Sequence, residues 1–208
     1  MRPSLVLLRR ALVVASVLLA AACGSDPTAS PPTKPTGDLT IVQVRAGAPA
    51  LTGTVRTFYA RYDQDREVRL YFRSPTSGAD STEYLRFRVR PRSLATRPGG
   101  VRFGGADSVL ITITILDASR FLASFEPSGL RFDASQPAEL RWKLAEKDDD
   151  LNEDGRVDDS DAQLVSQLAV WRQEALGMPW VRTPSQVSVE NDEITADVFG
   201  FSNYAVAY

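Results

Sequence analysis

The sequence predicts a mainly β protein, an antiparallel β-sandwich of Greek-key type that carries one inserted calcium-type loop and one α-helix. Three observations lead there. Apolar residues recur at every second position in short runs, clusters of Gly, Pro, Asp and Asn separate the runs, and a single stretch has helical spacing instead. Period-two alternation gives a strand one face for a core and one for water, and many such strands close into two packed sheets or a barrel.

The amino terminus stands outside that pattern. Arg9 and Arg10 precede an unbroken apolar run over residues 11–22, which ends in small residues just before Cys23. That is the layout of an export signal. The run falls short of the roughly 20 apolar residues that cross a hydrocarbon core, and extending it back to Leu5 would place both arginines in lipid at about 2.5–3.5 kcal/mol each. Residues 25–38 read SDPTASPPTKPTGD, with no large apolar side chain, and are expected as a flexible tether. The expected organisation is therefore a signal over 1–22, Cys23 and a linker over 23–38, and one domain over 39–208, about 170 residues around one core.

Along that domain, Val68, Leu70 and Phe72 share one face of a strand. In residues 85–90 the arginines Arg86, Arg88 and Arg90 take the outward face, expected to be solvated or ion-paired with their stems over apolar surface. Val109, Ile111, Ile113 and Ile115 point inward with Thr112 and Thr114 opposite, and Leu140, Trp142 and Leu144 repeat the pattern against Glu139, Arg141 and Lys143. Residues 187–189 and 194–199 flank Glu190-Asn191-Asp192-Glu193 as a hairpin, and a last strand covers 204–208. The helix is expected after a capping box of Ser160 and Gln163, with Leu164, Leu168, Trp171 and Ala175 on one face and Gly177 and Pro179 as its stop. Loop and helix together form an insert over 148–177.

Charge is unevenly placed. Residues 39–104 hold twelve Arg against five acidic residues, and residues 105–208 hold eight Lys or Arg against nineteen acidic residues. The two halves are expected to pair with each other. No nucleic-acid motif accompanies the basic half, so no nucleic-acid partner is expected. With no His and a single Cys, the chain has no Ser-His-Asp or Cys-His arrangement and no His-based zinc site. A Gly-rich phosphate loop is also missing. A carboxylate pair drawn from Asp117, Glu126 and Asp133 is the remaining route to hydrolysis, and loose acids of this kind serve solvation, so the chain is not expected to be an enzyme.

The acidic loop is the sharpest motif. Calcium takes six or more hard oxygens, and a twelve-residue loop supplies them from its positions 1, 3, 5, 7, 9 and 12, with Gly at 6 for the turn. Those places hold Asp150, Asn152, Asp154, the Arg156 carbonyl, Asp158 and Asp161, with Gly155 at the turn and Val157 expected to point inward. One calcium ion is expected there.

Three family resemblances add to this reading. Leu19-Ala20-Ala21-Ala22-Cys23-Gly24-Ser25 resembles the lipobox of bacterial lipoproteins, with Ala20 where the family prefers Leu. The resemblance implies lipid on Cys23 and, with Gly24 following it, an outer-membrane destination. It also gives a use to a Cys that would otherwise be a free thiol in an oxidising compartment. The loop and helix, with Asp161 in last place and a strand before them, resemble half of a dockerin repeat pair; with one repeat only, cohesin binding does not carry over. Residues 125–132 (FEPSGLRF), 136–140 (QPAEL) and 200–207 (GFSNYAVA) resemble the ZU-five class of β-sandwich domains, a scaffold more than a chemistry. One branch of that class cuts itself between Phe and Ser of a His-Phe-Ser motif. Here Gly200 replaces the His, so Phe201-Ser202 lacks its general base. Together these imply a non-enzymatic, lipid-anchored cell-envelope protein, a calcium-stabilised binding or adhesion-type module with a protein or glycan partner, or an architectural subunit of an envelope complex.

Overall fold

The computed structural model describes residues 30–208; the expected export signal over 1–22 and Cys23 lie outside the described residues. In chain order the elements are β1 (Thr33–Lys34), β2 (Val55–Arg61), β3 (Arg66–Arg73), β4 (Asp80–Val89), β5 (Leu94–Thr96), β6 (Ser108–Asp117), β7 (Leu122–Glu126), β8 (Arg131–Phe132), β9 (Ala138–Lys143), α1 (Asp159–Gln167), β10 (Ala169–Gln173), β11 (Trp180–Arg182), β12 (Ser185–Ser188), β13 (Glu193–Val198) and β14 (Asn203–Ala207). A seven-stranded sheet runs β1-β11-β10-β14-β7-β6-β2, a five-stranded sheet runs β12-β13-β9-β4-β3, and β5 pairs with β8 in a small ribbon. The strand pairings are antiparallel, as the mainly β reading expects.

Alternation explains why these strands form a sandwich. Ile111, Ile113 and Ile115 of β6 are buried, as are Leu140 and Trp142 of β9 and Leu85, Phe87 and Val89 of β4. Removing such side chains from water is the main favourable term, at about 25 cal/mol per Å² of apolar surface. Aromatic rings join the layers: Phe87 stands 5.1 Å from Phe125 and 5.7 Å from Phe201, centroid to centroid. Tyr204 meets Phe125 edge-on at 5.5 Å, and its hydroxyl donates to the Gly200 carbonyl at 2.5 Å. That four-residue reach back resembles the tyrosine corner of β-sandwiches.

The arginine stripe on β4 is ion-paired. On the outer face of the five-stranded sheet, Glu139 accepts from Arg86 at 3.2 Å and from Arg90 at 2.6 Å. Arg141 reaches Glu83 at 2.6 Å and Glu193 at 3.2 Å, and Arg88 pairs with Asp65. The expected pairing of the two halves holds for Glu139 and for Arg45 with Glu146 at 2.7 Å. It holds also for Glu83, which pairs with Arg141 as well as with Arg69 of its own half, whereas Asp65 and Glu67 answer arginines within their own half.

Two expectations are corrected. The helix ends at Gln167, not near Gly177, and its cap is Asp158 with Asp161 in a reciprocal capping box, not Ser160 with Gln163. Trp171 belongs to β10, where it pairs in register with Ala205 of β14. Ala169, Val170 and Trp171 are all buried because this strand has cover on both faces. Such an apolar run does not distinguish helix from strand by periodicity.

The second correction concerns the linker. The compact unit begins at Pro31, not at Leu39. Thr33 and Lys34 pair with Val181 and Trp180 of β11, and the Lys34 ammonium lies 5.6 Å from the centre of the Trp171 ring. Leu39 and Ile41 then pack on a second apolar cluster of Ala169, Trp171, Trp180, Ala205 and Ala207. Residues 31–41 are thus a strap over the outer face of the seven-stranded sheet. Its hold is backbone pairing, a cation over a ring, and two apolar residues at the far end, none of which a Pro- and Thr-rich composition reveals.

Candidate functional site

The acidic segment between β9 and α1 is fixed to the sandwich at its base. Asp148 N–H donates to the Gln43 carbonyl at 2.9 Å and Arg45 N–H to the Glu146 carbonyl at 2.9 Å. Leu151 is buried, its carbonyl accepts the Tyr208 hydroxyl, and Gln43 Nε2 donates to Glu153 Oε1 at 2.5 Å. Beyond that base the chain turns sharply, with Glu153 at φ 58° and Gly155 at φ 83°. Gly155 suits this left-handed position because it has no Cβ to crowd the backbone. It is the turn the loop pattern asks for.

The oxygens of the loop gather backbone amides. Asp150 Oδ1 accepts from Asp154 N–H at 3.1 Å and its Oδ2 from Gly155 N–H at 2.8 Å. Asn152 Oδ1 also takes Asp154 N–H, at 3.0 Å, and Asp154 Oδ1 takes Arg156 N–H at 2.9 Å. Asp158 Oδ1 caps α1 through Ser160 N–H at 2.8 Å. Asp161 is the hub, 3% exposed. Its Oδ1 accepts from Leu151 N–H at 2.8 Å and Asn152 N–H at 3.2 Å, and its Oδ2 from Asp158 N–H at 3.0 Å. One carboxylate therefore ties the start of the loop to its end. The amide of Asp158 foremost, then those of Asn152 and Leu151, hold the Asp161 carboxyl below its ordinary range against the opposing effect of desolvation.

Asp150, Asn152, Asp154, Arg156, Asp158 and Asp161 thus share one loop whose side-chain oxygens turn inward toward its own backbone. Among the described residues, no three Asp, Glu or Cys side chains stand close enough together to hold a metal ion. The donor set is nevertheless of the right kind, hard oxygens only: two amides take up Asp161 Oδ1, while Asp150 Oδ1 and Oδ2, Asp154 Oδ1 and Asp161 Oδ2 each accept one amide and keep a second lone pair. Val157 departs from expectation, being 69% exposed. Leu151, buried in the base of the loop, fills the inward apolar role instead. Tyr208 and Gln43, which anchor the loop, carry no signal in the sequence because both lie far from it along the chain.

Other candidates are not brought together. Asp117 pairs with Leu122 at one end of the β6–β7 ladder, and Glu126 pairs with Thr112 at the other, roughly 13 Å of strand apart. Carboxylate pairs that cleave glycosides stand about 5–9.5 Å apart. Asp133 closes a local turn through Ser135 N–H at 2.8 Å. Ser202 is buried and its hydroxyl has no hydrogen-bond partner. At Gly200 a Cβ would stand 2.8 Å from Arg131 Nη1 and 3.1 Å from the Leu130 carbonyl oxygen, so the absent side chain leaves room for Arg131. No helix among the described residues is long and apolar enough to cross a membrane. Comparison with family models, curated proteins and solved structures finds no match to this chain.

Proposed function

We propose that this chain is a non-enzymatic, lipid-anchored protein of the bacterial cell envelope, a binding or adhesion-type module stabilised by one calcium ion. The observation that carries the reading is the loop over residues 150–161. It combines the six-oxygen pattern with a left-handed Gly155 and an Asp161 carboxylate that joins its two ends. Asp150, Asn152, Asp154, the Arg156 carbonyl, Asp158 and Asp161 would hold the ion. Calcium would supply charge neutralisation to a stretch that otherwise sets Asp148, Asp149, Asp150, Asp154 and Asp158 against one another. The resemblances to the lipobox, to a single dockerin-type half-repeat and to ZU-five sandwiches support the same reading, with lipid on Cys23, an outer-membrane location and a protein or glycan partner.

Two measurements on the full chain test it. Added calcium should raise the midpoint of thermal unfolding, chelation should reverse the rise, and Asp150→Ala with Asp154→Ala should abolish it. A Cys23→Ser variant should leave the membrane fraction. A midpoint indifferent to calcium removes the ion from the reading, and a Cys23→Ser variant that stays membrane-bound removes the anchor.

A further inference from the structure

The end of the sandwich away from the acidic loop carries a cleft. The β2–β3 corner, the β4–β5 turn and the loops ahead of β6 and β9 border an open cleft of ≈ 850 Å³ lined by Tyr62, Asp63, Arg90, Arg92, Gly105 and Gln136. That volume suits a small ligand. The wall formed by the β4–β5 turn has a residue that runs against its own backbone. In Arg90-Pro91-Arg92-Ser93 the Ser93 N–H closes the turn on the Arg90 carbonyl at 3.1 Å, and Pro91 fits the second place. The third place, Arg92, has φ 66°, where turns of this type favour Gly or Asn because a Cβ crowds the carbonyl. Arg92 N–H reaches the Tyr62 carbonyl at 2.6 Å and fastens the turn to the β2–β3 corner.

Charge around this turn is unevenly satisfied. Arg90 is paired with Glu139 at 2.6 Å and Asp63 with Arg61 at 3.0 Å, whereas Arg92 is exposed and, among the described residues, forms no salt bridge. An arginine in a glycine position, with its guanidinium unused by the fold, places strain beside a cleft, where strain gathers at ligand sites. Tyr62 packs partly against the core, so its outer surface is held in place before any ligand arrives. Gln136 is exposed and offers both a donor and an acceptor.

We infer that this cleft binds a saccharide bearing a carboxylate, a uronate. The Arg92 guanidinium takes the carboxylate through its planar fork. The Tyr62 ring lies against the sugar, and Gln136 and Asp63 meet its hydroxyls. The walls are turns and loops with no row of unpaired strand backbone, so an extended acidic peptide finds no ladder here. The inference rests on the binding-module reading and is independent of calcium and of the lipid.

Titration calorimetry of the mature protein with trigalacturonate, neutral galactotriose and hexaglutamate tests it. The uronate should bind, the neutral trimer at least about tenfold more weakly, and Arg92→Gly should weaken uronate binding at least about tenfold. The same variant should unfold at the wild-type temperature or above, because Gly relieves the left-handed position. Loss of binding without loss of stability separates a ligand contact from a structural one. No uronate binding at millimolar concentration, equal binding by Arg92→Gly, or tighter binding of hexaglutamate overturns the inference. A protein that keeps its calcium response and its membrane attachment but takes no uronate loses this inference alone.

Discussion

Asp161 shows how much a single side chain organises here. Because its carboxyl is held below the ordinary range by three amides, folding favours the ionised form. Its contribution to stability is therefore whole above the unfolded carboxylate range near pH 4 and is lost as the pH falls through the lower native value. Asp161→Asn keeps an acceptor oxygen but has no proton to take up. In chelator, the variant should melt below the wild type at about pH 7, and the gap should close in more acidic solution as the native carboxyl protonates. Thermal unfolding across that range checks this, and a gap independent of pH would show that Asp161 acts through packing alone. The acid is legible in the sequence as a loop oxygen. Its role as a tie between Leu151 and Asp158 is not, since that depends on the loop closing on itself.

Among the elements, β4 and β9 carry the most informative pair of faces. The inward face builds the core, while the outward face sets Glu139 between Arg86 and Arg90 with little exposure, its side chain at 17%. Charge-assisted bonds in that setting are worth more than exposed ones. Glu139→Ala should lower the unfolding free energy by about 1–2 kcal/mol. Arg88→Ala, which removes the more exposed pair with Asp65, should cost under about 0.5 kcal/mol. Urea denaturation of both variants measures the contrast, and equal costs would contradict the ladder. Strand alternation makes β3, β4, β6, β9 and β13 readable because each has one wetter and one dry face. It fails for β10, where Leu168 and Trp171 continue the helical spacing of Leu164 across a helix–strand junction. Pairing with β14 and β11 and cover by the strap set that strand apart.

At the scale of the whole molecule, the fold is a sandwich with its acidic loop at one end, a cleft at the other, and a strap across one face. The strap is the part least visible in composition, since β1 has two residues and the segment reads as a tether. Its contribution can be measured by comparing chains that begin at Pro31 and at Leu39. The shorter chain should lose about 1–3 kcal/mol of stability, and acrylamide should quench its tryptophan fluorescence more strongly as Trp171 and Trp180 gain access to solvent. Equal stability and equal quenching would return residues 31–38 to the role of a passive linker.

The strap also bears on mechanics. In a chain held through Cys23, a pull reaches the described domain first at residues 31–41, where the β1–β11 pairing, the Lys34–Trp171 contact and the packing of Leu39 and Ile41 resist it. That segment would peel before the sandwich opened. Eleven residues drawn straight span roughly 35 Å, a length of slack that leaves the core, the acidic loop and the far cleft unstretched.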